Sequence, residues 1–523
     1  MKPPRLAAGA ALSLLLLNAF GEQYYQTKTP YQPQQASASY EAAPQGYRAI
    51  YTQLLARHGS RGLSSMKTDL ALYQLWQLAG KEKALTPLGA QLGDDLLQMM
   101  KANALLGYGV AGITRPGYGN ETMQGVAEHK QLAERMVRRL PQLFRDAAGG
   151  NAGGNAGGAG AQPRQILLVT SGKDRAVDSG DYFAGSLVAQ QPNLQALIVR
   201  PPSLAPRAET NHDSRPAGTD RFLLYFHKLS AKQDQVADSS DPLYATYQAS
   251  QEYQAWAKSD ELHAREAALL AQPQVSAAAK AVLERLFTPA FVAGLDQGRY
   301  SAANTGTYSY TSADGKFTNK LTGDGDTEIK SSVAAAQALY DLYAAAADMK
   351  AELKADFTRY MPAQQAAVFA ATEDAIAFYT KGPGIVENGG VNYRMAQTLL
   401  DDFFGEVDAI AKGNLSHAAK LRFAHAEIVI PMAAILGLPG MSEQLPRATT
   451  YSYSNSSWRG DQVAPMAANI QWDVYTNDQG RTLVRMLYNE KEIDFKRECE
   501  QSKITPGSHF YDYARLRACY RPN

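Results

Sequence analysis

Cysteine is almost missing from this chain. Only Cys499 and Cys519 occur in 523 residues, both near the C-terminus. Their spacing is too long for a zinc site, and no histidine pair stands nearby at ligand spacing. In an exported protein such a pair is expected to form one disulfide, closing a loop of about 20 residues worth on the order of 3 kcal/mol. Charge of one sign is missing too. The formal net charge is +1, and removing Lys2 and Arg5 makes it −1. Without a global basic field nucleic acid is not an expected partner, and any polyanion must be held by a local cluster. No apolar run after Leu17 is long enough for a membrane helix. No Asp/Glu cluster suits a metal, so neither a metal nor another cofactor is expected, and nothing points to an obligate protein partner. A phosphate-binding glycine loop is absent as well. The glycine-rich run 149–162 lacks a preceding strand, a following Lys-Ser/Thr and a helix start. By composition it is a flexible linker, expected to be mobile and dispensable.

What is present begins with an export signal. Lys2 and Arg5 flank the start of a short apolar core at 6–17, and Ala19-Phe20-Gly21 offers small residues for cleavage. Residues 1–21 are therefore expected to be removed, leaving a periplasmic or secreted protein. No cysteine follows, which argues against a lipid anchor. Residues 22–46, rich in Gln, Tyr, Ala, Ser and Pro, read as a poorly ordered leader or an extended strap. Roughly 480 residues remain for folded structure, enough for two or three domains. A hydrophobic content of 45% supports large cores.

Strand-like runs alternate with helical ones. Residues 49–56, 165–170 and 195–199 read as strands; 86–105, 123–144 and about 175–190 read as helices. Thr86 and Thr122 stand near two helix starts, each with a glycine three residues on. The alternation predicts an α/β fold, a central and mostly parallel sheet flanked by helices, with catalytic residues at the C-terminal ends of strands. From about residue 206 to 380 the chain is rich in Ala, Gln, Lys and Tyr, and 331–353 is strongly helical by propensity. The expected organisation is an α/β catalytic domain over 47–205 and 382–523, interrupted at 206–381 by a mainly helical insert. Within that insert, 300–326 forms an internal loop or hairpin. Residues 467–475 and 482–488, around Asn477-Asp478-Gln479-Gly480, read as a β-hairpin that adds antiparallel strands.

Chemistry concentrates in two short runs. Leu55-Ala56-Arg57-His58-Gly59-Ser60-Arg61 sets one imidazole between two guanidiniums, straight after a buried strand. Arginine keeps its charge and matches phosphate oxygens with a planar fork of donors. Neighbouring positive charge favours neutral His58, and a neutral imidazole beside a bound phosphate is a nucleophile. Read alone, the run is equally a basic surface turn with an incidental histidine. The second run, Leu421-Arg422-Phe423-Ala424-His425-Ala426-Glu427, leads into the apolar stretch 428–438, a buried helix closed by Gly437, Pro439 and Gly440. A spacing of two splays His425 and Glu427 on a helix but lets both face one pocket at a strand end or turn. Read alone, the pair is also a helix cap with a satisfied histidine.

With Thr170-Ser171-Gly172-Lys173-Asp174-Arg175-Ala176-Val177-Asp178-Ser179 and Asn489-Glu490-Lys491-Glu492, these runs make the chain resemble the histidine phosphatase superfamily. The likeness is to its branch of two-domain acid phosphatases and phytases. Within that branch it is to the multiple inositol polyphosphate phosphatases, which carry His-Ala-Glu where other members carry His-Asp. It spans nearly all of the mature chain, more weakly in the insert. The resemblance implies that His58 takes the phosphoryl group and that Arg57, Arg61 and Arg175 cradle its oxygens. It implies further that His425 adds a hydrogen-bond donor. Glu427 would protonate the leaving alkoxide and then activate the water that hydrolyses phosphohistidine. General chemistry agrees. An alkoxide needs a positioned acid, and fixed guanidiniums stabilise charge on the transferred group. Glu427 must be protonated in the first step, which favours acidic pH, and a nearby phosphate dianion raises its pKa. One departure stands out: the proline that commonly follows two residues after the second arginine is here Leu63. It is expected to alter loop stiffness rather than chemistry.

The expected activity is that of an exported acid phosphatase acting on inositol polyphosphates, phytate first. The alternatives are a phosphatase of the same mechanism for sugar phosphates or other monoesters, and a non-catalytic phosphate or polyanion binder. Retention of both His58 and Glu427 argues against the binder. A phosphoglycerate mutase is disfavoured by the export signal and the helical insert. Phytate needs cations beyond the catalytic three. Lys67 is the first rim candidate, Lys173 and Arg207 weaker ones, and each also reads as a solvated surface charge. His212 and His227 are placed to line the cleft, although core or surface roles are preferred for both. His129 is read as structural.

Overall fold

The computed structural model describes residues 24–149, 163–200 and 218–520. The expected signal segment, residues 150–162 of the glycine-rich run, Arg207 and His212 lie outside the described residues. The strands, in chain order, are β1 (Arg48–Arg57), β2 (Gln165–Thr170), β3 (Ile198–Val199), β4 (Ala302–Ala303), β5 (Thr307–Thr311), β6 (Thr318–Thr322), β7 (Glu328–Ile329), β8 (His417–Ala424), β9 (Asn469–Thr476), β10 (Thr482–Tyr488), β11 (Lys491–Ile493) and β12 (Tyr511–Asp512). One mixed sheet runs in the order β11-β10-β9-β1-β8-β2-β3, with β12 also pairing β10. At its core β1, β8, β2 and β3 lie parallel. From the other edge of β1 the strands β9 and β10 continue antiparallel, joined by the hairpin expected around Asn477.

The parallel strands are apolar runs because both faces are covered. Every residue of β1 from Ile50 to Arg57 is buried. Buried charge is tolerated in β8 only with partners: Arg422 Nε donates to Asp402 Oδ2 at 2.8 Å and lies over the Phe403 ring. The expected strand at 195–199 shrinks to β3, because Pro192 starts a 3-10 turn, Pro192–Leu197, that uses up the approach.

Threonine caps set two helices. Thr86 Oγ1 accepts from Gly89 N at 3.0 Å at the start of Pro87–Ala104, and Thr122 Oγ1 from Gly125 N at 3.3 Å at the start of Met123–Arg139. Gly125 has a second duty. A Cβ on it would lie 2.2 Å from Ser60 O, and one on Gly59 2.6 Å from Gly125 Cα, so loop and helix meet backbone to backbone.

A second apolar core lies beside the sheet. Helices Thr68–Lys81 and Pro87–Ala104 contribute Leu72 and Leu92; Pro273–Leu283 and Ser332–Asp348 contribute Val282 and Leu339. The stretch 300–326 includes the antiparallel hairpin β5–β6. Of the two readings of the leader, its described part is a strap. Tyr31 is buried, with its hydroxyl donating to Glu490 Oε2 at 2.8 Å and accepting from Asn469 Nδ2 at 2.9 Å. Among the described residues no helix is long and apolar enough to cross a membrane.

Cys499 and Cys519 are bonded, tying the turn Arg497–Ser502 to the helix Tyr513–Tyr520. Reduction should lower the unfolding free energy by about 3 kcal/mol in the chain-entropy account. Denaturant midpoints with and without reductant test this, and an unchanged midpoint would contradict it.

Candidate active site

Three neighbouring strand ends converge. Arg57 pairs with Ala424 across β1 and β8, and Thr170 with Phe423 across β2 and β8. His58, His425 and Ser171 are therefore the first residues past these strands. His58 N donates to Ala424 O and Ser171 N to Phe423 O, both at 3.0 Å. His425, in extended backbone, precedes the helix Ala426–Ile435, whose first turn holds Glu427. Their two-residue spacing works because the strand-to-helix junction falls between them. Arg175 stands in the first turn of helix Asp174–Gln190.

His58 is buried, with Nδ1 3.0 Å from Gly59 O. A carbonyl only accepts, so Nδ1 carries the proton and Nε2 the lone pair. Burial first, then Arg175, Arg57, Arg61 and His425, holds the imidazole well below its usual pKa. The His58 and His425 rings lie 5.5 Å apart at 65°. His425 Nε2 is 2.8 Å from Ser171 Oγ, while its Nδ1 is buried without a partner. Burial, then Arg175 and His227, keeps His425 neutral also. Arg57 Nη1 donates to Thr27 O and, at 2.6 Å, to Ala464 O. Arg61 Nη1 donates to Gly62 O at 2.8 Å. The Nε–H groups of Arg57 and Arg61 are both buried and unpartnered. Such orphans are rare, and here they suit an acceptor-rich group. Burial, then Arg175 and Arg57, brings Arg61 down to about 9, still cationic in the acid range.

Glu427 Oε1 is 3.4 Å from Lys381 Nζ, and its side chain is about one-third exposed. Burial acts to raise its pKa, but Lys381, His227 and His425 outweigh this and hold it well below the usual carboxyl range. His227 is buried, its ring 6.2 Å from His425 and 4.8 Å from Tyr225. Burial, opposed by Glu427, brings His227 down to about 4. Behind the loop, Gly59 N donates to Glu121 Oε1 at 2.8 Å, and burial pushes that carboxyl up to about 8.

Beside Arg175 opens a cavity of about 520 Å³, lined also by Lys67, Arg115, Lys173, Asn319 and Asp324. One wall is β6, from the helical region. Lys67 Nζ is 3.0 Å from Asp324 Oδ2 and 3.5 Å from Asp326 Oδ2, and Arg115 is 3.2 Å from Asp174.

A family model described as histidine phosphatase superfamily, branch 2, matches residues 50–489, a span holding both motifs and everything between them. The chain belongs to the histidine phosphatase superfamily. This histidine phosphatase is a hydrolase of phosphomonoesters. It is similar to the multiple inositol polyphosphate phosphatase of Bifidobacterium longum in complex with inositol hexasulfate, at 33% identity over 95% of this chain and 97% of that one, with a TM-score of 0.79. The apo form of that enzyme gives 32% identity over 96% and 98%, with a TM-score of 0.80. The phytase from D. castellii, at 12% identity over 95% and 84% and a TM-score of 0.55, shares the fold alone. No curated protein matches the chain.

In this histidine phosphatase, Arg57, His58, Arg61, Arg175, His425 and Glu427 act on one another electrostatically and form one cluster. Lys67 and Lys173 lie on the cavity wall, Lys173 with its Nζ 5.6 Å from the centre of the Tyr225 ring that packs against His425 and His227. His227, given a core or surface role by its sequence context, is buried against the site. His129 is wholly buried, its ring 5.6 Å from Phe423. Sequence reasoning missed Lys381, Glu121 and Tyr225. Lys381 caps the helix Ala363–Thr380 and carries no local motif, so only the fold brings it to Glu427.

Proposed function

We propose that this histidine phosphatase is an exported acid phosphatase that hydrolyses inositol polyphosphates, phytate first, through a phosphohistidine on His58. The observation that carries the reading is the His58 ring, whose Nδ1 proton is committed to Gly59 O while Nε2 keeps its lone pair beside three guanidiniums. Nε2 attacks phosphorus, the bond to the ester oxygen breaks, and Glu427 gives that oxygen its proton. Arg57, Arg61 and Arg175 hold the remaining oxygens. With Ser171 Oγ donating to His425 Nε2, the His425 Nδ1–H is left to donate to the phosphoryl group. Glu427, now a carboxylate, then takes a proton from the water that attacks phosphorus. This frees His58 and releases inorganic phosphate. The substrate class is supported by the inositol hexasulfate complex of the Bifidobacterium enzyme and by the cavity cations beside Arg175. Export is supported by the apolar core at 6–17 and the disulfide.

A second reading, small monoesters, is favoured by one observation. Lys67 and Arg115 are already paired with Asp324, Asp326 and Asp174, which leaves the rim closer to neutral. Phosphate release from phytate and from p-nitrophenyl phosphate, each with EDTA across acid to neutral pH, separates the two. Release from phytate supports the first reading, and release from the small ester alone moves the substrate to the second. Release from neither refutes both.

In the unliganded protein Lys381, His227 and His425 hold Glu427 well below the usual carboxyl range against the effect of burial, and a phosphate dianion raises its pKa on binding. Removing Lys381 removes the largest influence holding it down. In Lys381→Met the carboxyl therefore keeps its proton to higher pH, and the alkaline limb of the kcat/KM profile should move upward. A limb that stays put, or moves to lower pH, would refute the proton-donor role.

A further inference from the structure

The hydroxyl of Ser60, inside the Arg57-His58-Gly59-Ser60-Arg61 loop, lies between two buried carboxyls. Its oxygen is 2.7 Å from Glu128 Oε1 and 2.9 Å from Asp348 Oδ1. A serine hydroxyl has one hydrogen and can donate to only one of them, so the other contact requires a proton on the carboxyl itself. The surroundings decide which carboxyl holds it. Glu128 also accepts from Ser60 N at 2.8 Å, Tyr31 N at 3.1 Å and Gln124 Nε2 at 3.3 Å, all of which favour a carboxylate. Asp348 has no such set of donors. It is wholly buried, and its Oδ2 has no partner. An ionised carboxylate left bare in that place costs far more than a neutral acid.

We propose that Asp348 is a positioning residue acting as a neutral acid: its Oδ1–H donates to Ser60 Oγ, whose own hydrogen then points to the Glu128 carboxylate. The relay gathers three distant segments on one loop. The strap enters through Tyr31, the helix Met123–Arg139 through Glu128, and the helix Ser332–Asp348 through its last residue. Together they fix the backbone that carries Arg57, His58 and Arg61. Through Asp348, a wholly buried residue, the helical region thus bears on the reacting loop. The charged groups facing Asp348 are Glu128 from its helix, Arg57 and Arg61 from the loop, and Lys28, Lys67 and Asp341 around an adjoining cavity of about 180 Å³. Burial and Glu128 push the Asp348 carboxyl well above its usual range, with Ser60, Arg57 and Arg61 opposing.

This inference rests on the reading of His58 as nucleophile and goes beyond it. The test compares Asp348→Asn, Asp348→Ala and His58→Ala in the full chain, with p-nitrophenyl phosphate as substrate. An asparagine amide keeps both the shape and an N–H donor for Ser60. The Asn variant should therefore hold kcat close to wild type, with an alkaline limb at or above the wild-type one, since its donor does not titrate. The Ala variant should lose on the order of 100-fold in kcat, more than it changes KM, because the loop is misplaced rather than stripped of its binding groups. If Asn falls as far as Ala, the carboxylate is what matters and the proposal is overturned. If Ala turns over like wild type, Asp348 positions nothing and the proposal is overturned likewise. Where Ala does not fold, the Asn variant decides by itself: loss of kcat at every pH refutes a neutral donor, and a preserved kcat with a preserved or raised limb supports one. His58→Ala is read separately. Turnover retained there removes the nucleophile reading and this inference with it. An enzyme inactivated by His58→Ala but without the Asp348 pattern loses only the inference.

Discussion

Replacing His58 by alanine should abolish turnover, by at least about 10⁴-fold, on phytate and on p-nitrophenyl phosphate alike. The two substrates differ in leaving group, but both must pass their phosphoryl group to the same nitrogen. Among the described residues the imidazole that packs against the His58 ring is that of His425, 5.5 Å away. His425 is also neutral, but its Nε2 is engaged by Ser171. The guanidiniums remain in the variant, so inorganic phosphate should still bind while labelled phosphoenzyme, trapped from wild type under alkaline quench, should not form. A variant that keeps its turnover or its label would end the phosphohistidine reading. The pKa shift adds a signature in the wild-type protein. Burial, with Arg175, Arg57 and Arg61 behind it, lowers the His58 pKa, so the neutral nucleophile persists at pH values where an ordinary histidine, of pKa about 6.5, is protonated. The pH profile should show no loss of activity on passing down through that value.

Much of this site was legible in the sequence because its chemistry sits at strand ends. β1 stops at Arg57 and β8 at Ala424, and the next residue in each case is a histidine. The strand-like run 49–56 locates the first stop, whereas β8, which carries Lys420 and Arg422, is not read as a strand, and only the two-residue spacing of His425 and Glu427 points to a strand end or turn there. The threonine caps of Pro87–Ala104 and Met123–Arg139 were legible for the same local reason. Local reasoning found part of the cause of His58 neutrality. Sequence neighbours suggest Arg57 and Arg61, whereas burial comes first and Arg175, more than a hundred residues away, outranks both. Lys381, Glu128 and Asp348 stayed hidden because each is one charged residue in or at the end of a helix with no motif around it. A solitary lysine or acid in such a place is most often solvated, and only the tertiary fold turns it inward. The same holds for the Lys67 rim, since Asp324 and Asp326 reach it from beyond β6 and change a bare cation into a pair.

Glu427→Gln should separate the two halves of the reaction. Glutamine fills the same space beside Lys381 but can neither give up a proton as an acid nor take one as a base. With phytate the ester oxygen leaves as an alkoxide, so phosphoryl transfer itself should slow by about 10² to 10⁴-fold, the usual contribution of a positioned acid. With p-nitrophenyl phosphate the leaving group needs little help, and transfer to His58 should stay comparatively fast. Hydrolysis of the phosphohistidine still needs a base for its water. It becomes the slow step, so the variant should release a burst of p-nitrophenol stoichiometric with enzyme and then turn over slowly. Equal losses on both substrates with no burst would place Glu427 in binding rather than in proton transfer. The pH dependence adds a check from the same variant. If the alkaline limb of wild type reports loss of the Glu427 proton, the glutamine variant has no such limb, because the group that titrates is gone. A limb that survives unchanged belongs to another group, and the low pKa imposed by Lys381 then has no part in setting the working pH of this phosphatase.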